Sequence, residues 1–269
     1  MLHEWPGYAA IVGVKNARLT LLAGFTTIRN VGSDDLADVA LKQAIEANIV
    51  PGPRMHVAAH SLGITGGTAN GVSQVREAVR YQMKYGAELI KFCATGGVLS
   101  ARDAVGVQQY TLAEMSAIVE ENDTYLVPTM MAFQAVVKAA GKGPLAAWST
   151  RKTREIVPHF QRKIRLGISE EVNIAFGADA GVFEHGTNGD DFRLLVEASM
   201  SPLQAILVPT REAATLLGAE RELGTVEPGK RADPVAITGD PLQEIELLRA
   251  VDFVMRAGIG YKSDGVPCI

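Results

Sequence analysis

The sequence predicts an α/β protein with a mainly parallel sheet, and three observations lead to this prediction. Short apolar, β-branched segments alternate with helical segments from residue 16 to residue 177. These strand-like segments end in polar or glycine residues, as parallel strands do where ligands bind. Past Gly218 the pattern changes to short strands separated by turns. The alternation fits an open doubly wound sheet and a (β/α) barrel equally well.

Local start and stop signals define the elements. Gly24 and Gly86 follow helical segments as C-cap residues do, Thr111 with Glu114 forms a capping-box pattern, and Pro158 is predicted to interrupt the last helix. The predicted helices span 16–22, 36–47, 73–85, 111–121 and 151–166. The predicted strands span 25–31, 54–59, 88–94, 125–130 and 172–177.

Two domains are predicted from this organisation. Residues 1–221 form a barrel-type α/β domain, and residues 222–269 form a small C-terminal β segment. Within that segment, Pro234 removes a backbone donor beside a predicted strand, which favours an edge position.

Composition excludes several classes of function. The chain has 269 residues, of which 47% are hydrophobic and 21% charged, enough to bury a sizeable core. Its net charge is −4 and it has no long basic run, so it is not expected to bind nucleic acid or an anionic membrane. A small-molecule substrate fits better, and a homo-oligomer is left open.

The cysteines and the amino terminus bear on the compartment. Cys93 and Cys268 give no disulfide framework and are expected to be reduced thiols. No apolar run approaches the roughly 20 residues that span a bilayer. The first residues lack the basic and apolar regions of a signal peptide. A cytoplasmic protein is therefore expected.

Lys91 is the first candidate for chemistry. It lies in an apolar segment that reads as a buried strand, just before the turn at Gly96-Gly97, where the backbone can approach a ligand closely. An unpaired ammonium is rarely buried, and desolvation lowers a lysine pKa, which turns the amine into a nucleophile. One alternative is therefore a barrel enzyme that uses Lys91 against a carbonyl substrate.

Asp179 and the histidines are further candidates. Asp179 ends an apolar segment between glycines and could bind metal, act as a general base or cap the next helix. His185 lies in a nearby loop, and His60 ends a predicted strand. No two histidines have the spacing of a metal-binding pair, and no glycine cluster completes a phosphate-binding fingerprint, so no nucleotide is indicated.

Six segments resemble motifs of the amidohydrolase superfamily, in family order and over nearly the whole chain. They are LLAGFTTIRNVG (21–32), GPR (52–54), ITGG (64–67), IKFCATGGV (90–98), GADAG (177–181) and GTVEPGKRAD (224–233). The branch that they resemble contains Xaa-Pro dipeptidase, imidazolonepropionase-like and ochratoxinase-like hydrolases. The resemblance implies a TIM-like (β/α) barrel of the amidohydrolase type, with about five of its eight strands recognisable. It also implies that the C-terminal β segment comes from a flanking β-sandwich.

The resemblance also implies a site with one or two metals, usually zinc. By match to the family motifs, Lys91 would bridge the metals as a carbamate, and Asp179 would bind metal and act as the catalytic general base. His185 and Asn188 would line the substrate pocket, together with Thr95 and Gly96. The implied reaction is hydrolysis of an amide or dipeptide C–N bond by metal-activated hydroxide.

The chain departs from the family pattern at the expected histidine ligands. One pair would lie upstream of the matching segments, two more would lie where residues 121–125 run together, and Thr68 replaces a further histidine. The resemblance therefore implies a truncated and internally deleted chain that keeps Lys91 and Asp179 as metal ligands. A non-catalytic scaffold or binding protein with the same fold is the alternative function.

Overall fold

The computed structural model describes residues 5, 7–63, 69–99, 105–118, 125–142 and 146–269. The motif at Gly66-Gly67, Thr68 and the junction near Asn122 lie outside the described residues. The helices are α1 (Tyr8–Leu22), α2 (Ala37–Glu46), α3 (Gly71–Lys84), α4 (Leu112–Ile118), α5 (Met130–Lys142), α6 (Ala147–Ser169), α7 (Asp190–Glu197), α8 (Pro202–Leu207) and α9 (Ala213–Leu216). The strands are β1 (Thr27–Asn30), β2 (Arg54–Val57), β3 (Val235–Ala236), β4 (Phe253–Arg256), β5 (Ile259–Ser263) and β6 (Val266–Pro267).

The chain divides into two compact units. The first unit contains Met1–Arg18 and Thr27–Asn122, and the second contains Leu19–Thr26 and Asp123–Ile269. The predicted domain boundary after residue 221 falls inside the second unit, and that division stays a prediction.

The first unit is built on parallel pairing. β1 pairs with β2 in parallel, with Thr27 opposite Arg54, and a parallel bridge between Leu62 and Phe92 adds a third segment. Residues of β2 pack with α2 in an apolar cluster that includes Ile45. The β-branched and apolar residues of these segments form the helix-covered face of the sheet, as parallel strands require.

The second unit combines helices with an antiparallel sheet. A parallel bridge joins Leu126 and Ile174, and Ile174 lies in an apolar cluster with residues of α7 and α8. The four-stranded sheet has the order β3-β4-β5-β6, with all pairs antiparallel. In this part of the structure β3, next to Pro234, is an edge strand, as predicted.

Many predicted elements are confirmed. The α/β class is confirmed, and β1, β2, α2 and α3 lie where the sequence places them. Short strands follow Gly218, as predicted. The capping box before α4 is formed: the Thr111 N–H donates to Glu114 Oε2 at 2.8 Å, and the Glu114 N–H donates to Thr111 Oγ1 at 3.3 Å. Cys93 and Cys268 are free thiols and form no disulfide.

Other predictions are wrong. The segments 88–94, 125–130 and 172–177 form single β-bridges instead of strands. Strand pairing depends on residues that are distant in the sequence, which local composition does not reveal. α6 runs through Pro158 without interruption. The helices α5, α7, α8 and α9 were not predicted.

No helix of the described residues is long and apolar enough to cross a bilayer.

Gly189, just before α7, is required by close backbone packing. A Cβ there would lie 2.4 Å from the Leu248 carbonyl oxygen and 2.9 Å from Arg249 Cα. We expect Gly189→Ala to lower the free energy of unfolding by about 1–3 kcal/mol, because backbone atoms cannot move aside as a flexible side chain can. Urea denaturation measures this change. Gly260→Ala is the control, since a Cβ at Gly260 meets nothing within 4 Å; equal losses in both variants would contradict the packing argument.

Candidate functional site

Lys91 lies in extended backbone beside the chain that follows β2. The Leu62 N–H donates to the Lys91 carbonyl at 2.8 Å, and the Cys93 N–H donates to the Leu62 carbonyl at 3.0 Å. The Lys91 side chain is half-buried, which corrects the expectation of a fully buried strand residue. In the described part of the chain, no carboxylate lies within ion-pair distance of Lys91.

Thr95 and Gly96 belong to a loop that is bonded to residues 105–109. The Gly96 N–H donates to the Val107 carbonyl at 3.0 Å, and the Gly106 N–H donates to the Gly96 carbonyl at 3.2 Å. Gly96 is buried and Thr95 is exposed. Both backbone groups of Gly96 are thus used inside the loop, so the exposed Thr95 side chain is the group that remains open to a ligand. The substrate-binding role of both residues stays a prediction.

Asp179 stands on an exposed turn at the end of an apolar segment. Its φ is +56°, which is uncommon for a residue with a side chain, and Gly181 follows with a φ of +121°. The next helix, α7, begins at Asp190 with Gly189 in the N-cap position, so the helix-cap interpretation of Asp179 is wrong. A strained, exposed carboxylate at a segment end fits a functional role, which stays a prediction.

His185 and Asn188 organise the loop before α7. His185 Nδ1 lies 3.2 Å from Thr20 Oγ1, and burial lowers the pKa of the His185 imidazole. The Gly186 N–H donates to Asn188 Oδ1 at 3.1 Å, and Asn188 is buried. These contacts give both residues a structural role in the loop. Their role in substrate binding stays a prediction.

The predicted site residues fall into two groups. Lys91, Thr95 and Gly96 lie in the first unit, whereas Asp179, His185 and Asn188 lie in the second. Within its own unit, each group is located on loops or segment ends, as the sequence predicted for ligand-binding residues.

Sequence reasoning missed two buried carboxylates. Asp38 is 4% exposed and Asp191 is 2% exposed. The Met131 N–H donates to Asp191 Oδ1 at 3.0 Å, whereas Asp191 Oδ2 is buried and without a hydrogen bond in the described structure. Burial, and to a smaller extent the negative charge of the neighbouring Asp190, raise the pKa of Asp191 to about 7. The hydrogen bonds from the α5 backbone act in the opposite direction and lower it. The only sequence signal was the pair of acids in the first turn of α7.

The described side chains do not fit a zinc site. Structural and catalytic zinc is held by three or four Cys, His, Asp or Glu ligands. Among the residues that the structure describes, no group of at least three such side chains could hold a metal ion. Two of the histidines are also engaged elsewhere: His185 with Thr20, and His56 at 3.8 Å from Glu88.

Comparisons with known proteins identify the family. The amidohydrolase family model matches residues 3–135 and 124–259. The two matches overlap at residues 124–135, next to the junction near Asn122 that the resemblance implied. A curated relative, ochratoxinase of Aspergillus niger, is 28% identical over 74% of this chain and 51% of its own length. The chain thus spans about half the length of the curated relatives that it matches.

Solved structures of related proteins resemble this chain over most of its length. A Xaa-Pro dipeptidase with bound methionine in its active site is 30% identical and has a TM-score of 0.93, covering 98% of this chain and 81% of that one. The structure of A. niger ochratoxinase, at 21% identity and a TM-score of 0.80, covers 94% and 76% and shares the fold. This similarity supports a barrel-type fold, and the number of barrel strands stays a prediction. The chain belongs to the amidohydrolase family.

Proposed function

We propose that this protein is a hydrolase of C–N bonds in small amides, such as dipeptides or N-acyl amino acids. The observation that carries the proposal is the similarity to a Xaa-Pro dipeptidase, at 30% identity over 98% of this chain. The curated relative is an ochratoxinase. The acidic net charge of −4 also suits a small substrate better than a nucleic acid or an anionic membrane. A homo-oligomer is compatible with this proposal.

Asp179 is the residue that we propose as general base. Its carboxylate is exposed at the end of an apolar segment, where it can accept a proton from a water molecule that attacks an amide carbonyl. The zinc ions and the carbamate at Lys91 enter this proposal through the resemblance alone. Because the described side chains do not fit a zinc site, we derive no step that passes through a metal.

A second candidate function is a non-catalytic scaffold or binding protein. The described residues provide no group of three potential metal ligands, and this observation favours the second candidate. It predicts a cooperatively unfolding protein that retains no zinc after dialysis.

Activity and metal content together separate the two candidates. We expect the protein to hydrolyse members of a panel of Xaa-Pro dipeptides and N-acyl amino acids, and Asp179→Asn to lower kcat/KM by about a hundredfold or more, since a general base contributes at least this much. Asp264→Asn, in an exposed turn, is the matched control and should leave kcat/KM unchanged. Zinc is measured by mass spectrometry before and after dialysis against a chelator. A folded protein that binds no zinc and hydrolyses no substrate would support the scaffold instead.

A further inference from the structure

Residues 130–169, which include α5 and α6, are strongly basic although the chain as a whole is acidic. Eight of the 26 basic residues lie in this segment, but only one of the 30 acidic residues, Glu155, does. The segment therefore carries a formal charge of +7, and because the whole chain carries −4, the remainder carries −11. The basic residues are Lys138, Lys142, Arg151, Lys152, Arg154, Arg162, Lys163 and Arg165. The net charge thus conceals a region of opposite sign.

Four arginines of α6 share one side of the helix. Ser149, Thr153 and Ile164 are buried and mark the side that packs inward. On that inward side the ring of Phe160 stacks on Phe133 of α5, with 3.9 Å between the ring centroids. Successive residues of an α-helix are rotated by about 100°, which locates four exposed arginines on the outward side, within an arc of roughly 80°. They are Arg151, Arg154, Arg162 and Arg165, which we call the arginine stripe. The stripe extends about 21 Å along the helix.

The arginine stripe has no counter-charge within the described structure. Elsewhere exposed arginines form ion pairs, as Arg231 does with Glu222 at 2.5 Å. In the part of the chain that the structure describes, none of the four stripe arginines makes an ion pair or a hydrogen bond through its side chain. Like charges one helical turn apart repel each other, so the stripe costs the protein stability. A partner that brings negatively charged groups relieves this repulsion.

Apolar side chains flank the stripe. Leu166 is 55% exposed, and Trp148 is half-buried, with Lys152 Nζ 5.2 Å from the centre of its ring. Trp148 and Leu166 are 18 residues apart, which is five full helical turns, so they lie on the same side of α6, about 40° from Arg162. Tryptophan and arginine contribute strongly to binding at protein interfaces, whereas nucleic-acid-binding surfaces are more polar. The combination of arginine, tryptophan and leucine therefore favours a protein partner.

The charge of the rest of the chain favours a partner of limited size. A nucleic-acid duplex or an anionic bilayer extends well past the stripe, so the charge of −11 on the remainder of the chain opposes its approach. A short acidic segment contacts only the stripe and its flank. Arginine binds a carboxylate through two parallel hydrogen bonds, so glutamate and aspartate side chains match the stripe chemically.

We propose that the arginine stripe binds an acidic segment of a partner protein, with carboxylates on the arginines and an apolar side chain against Leu166. A helical segment of about 15 residues spans the stripe. The stripe residues are not among the predicted site residues, and binding does not depend on hydrolysis.

Direct binding of a defined peptide tests the proposal. The probe is a fluorescein-labelled helical peptide of glutamate, leucine and alanine, compared with the same peptide in which glutamine replaces every glutamate. Fluorescence anisotropy measures the affinity of the full chain for each peptide. We expect the glutamate peptide to bind at least about tenfold more tightly, because glutamine forms no charge-assisted contacts with the four arginines. Added salt should weaken binding of the glutamate peptide.

Two combined variants with the same net charge test the stripe itself. Glutamine at all four stripe positions (Arg151→Gln, Arg154→Gln, Arg162→Gln and Arg165→Gln) should weaken binding of the glutamate peptide by a similar factor. The positions are exposed and glutamine is a good helix former, so α6 should stay folded, which circular dichroism verifies. The control combines four substitutions at exposed positions outside α6 and should retain binding: Arg76→Gln, Arg80→Gln, Lys84→Gln and Arg221→Gln.

Several results would overturn the proposal. Equal binding of the two peptides, or equal binding of the glutamate peptide by the two combined variants, would show that the stripe recognises no acidic segment. Tighter binding of a DNA duplex or of phosphatidylserine vesicles would assign the stripe to a different class of partner. Self-association in sedimentation velocity that the stripe variant alone abolishes would identify a second copy of this chain as the partner.

Discussion

Replacing Asp191 with asparagine is expected to raise the stability of the protein, relative to the unaltered chain, by about 4 kcal/mol more at pH 8 than at pH 4. The pKa of Asp191 is raised from its ordinary value of 3.8 to about 7, and that difference corresponds to about 4 kcal/mol. An effect of this size is large compared with the total stability of a typical domain.

The structure explains why the charged form is disfavoured. Asp191 is buried where α7 meets the start of α5, and Leu195, one helical turn later in α7, is buried as well. One carboxyl oxygen accepts the Met131 N–H, but among the described residues the other is enclosed without a hydrogen-bond partner. The neighbouring Asp190 carries a second negative charge, which is paired with Arg249 Nε at 2.5 Å. A neutral carboxyl, or an amide of the same shape, fits this position better than a carboxylate does.

The direction of the pH effect follows from proton binding. Below pH 3.8 the carboxyl is protonated in both the folded and the unfolded chain and has no net effect. Between pH 3.8 and about 7 the folded protein holds a proton that the unfolded chain has lost, so stability falls as the pH rises. Above about pH 7 the carboxyl is ionised in both the folded and the unfolded chain, so the loss of stability grows no further.

Urea denaturation at several pH values, followed by circular dichroism, measures the difference between the two proteins. Taking the difference removes the contributions of all other titrating groups. Asp264→Asn makes the same chemical change on an exposed turn and should follow the unaltered protein at every pH. A constant difference between Asp191→Asn and the unaltered protein from pH 4 to pH 8 would show that Asp191 is ionised throughout.

Local signals predicted much of the fold. α2 was visible because its apolar residues recur near one face, and α3 because Gly86 marks its end. β1 and β2 were visible because their segments are rich in β-branched and apolar residues. The strand predictions for 88–94 and 172–177 are wrong because a strand requires a continuous ladder of backbone hydrogen bonds, and only single β-bridges form in these segments. α5 was not predicted, because Thr129, which directly precedes it and has a φ of +45°, lies within the predicted strand 125–130.

The candidate site was predicted less completely, for a physical reason. The spacing of Lys91 and Asp179 relative to glycines located them on segment ends, which a sequence can show. The burial of Asp191 depends on the contact between α5 and α7. The hydrogen bonds of Asp38 depend on how the ends of β1 and β2 approach the start of α2. Neither contact is encoded in neighbouring residues, so neither carboxylate could be distinguished from an ordinary acid in the first turn of a helix.

Asp38→Ala is expected to lower the free energy of unfolding by about 3 kcal/mol or more. The Asp38 carboxylate accepts four hydrogen bonds, from Ser33 Oγ, Asn30 Nδ2 and two backbone N–H groups. Removing an acceptor that satisfies several buried donors costs their desolvation as well as the bonds themselves. Leu36, the N-cap residue of α2, makes no side-chain cap, so Asp38 also satisfies the start of this helix.

The same substitution should release the strained end of β2. Ala59 keeps its φ of +56° while Asp38 binds its N–H. Without Asp38, we expect the Ala59 amide to lose hydrogen-exchange protection before the amides of α3 do, because the Ala59 N–H no longer has its acceptor. Asp34→Ala, in the exposed turn before α2, is the matched control and should affect neither measurement. If Asp38→Ala lowers stability but leaves the Ala59 amide protected, then Asp38 stabilises α2 alone and the conformation of Ala59 has another cause.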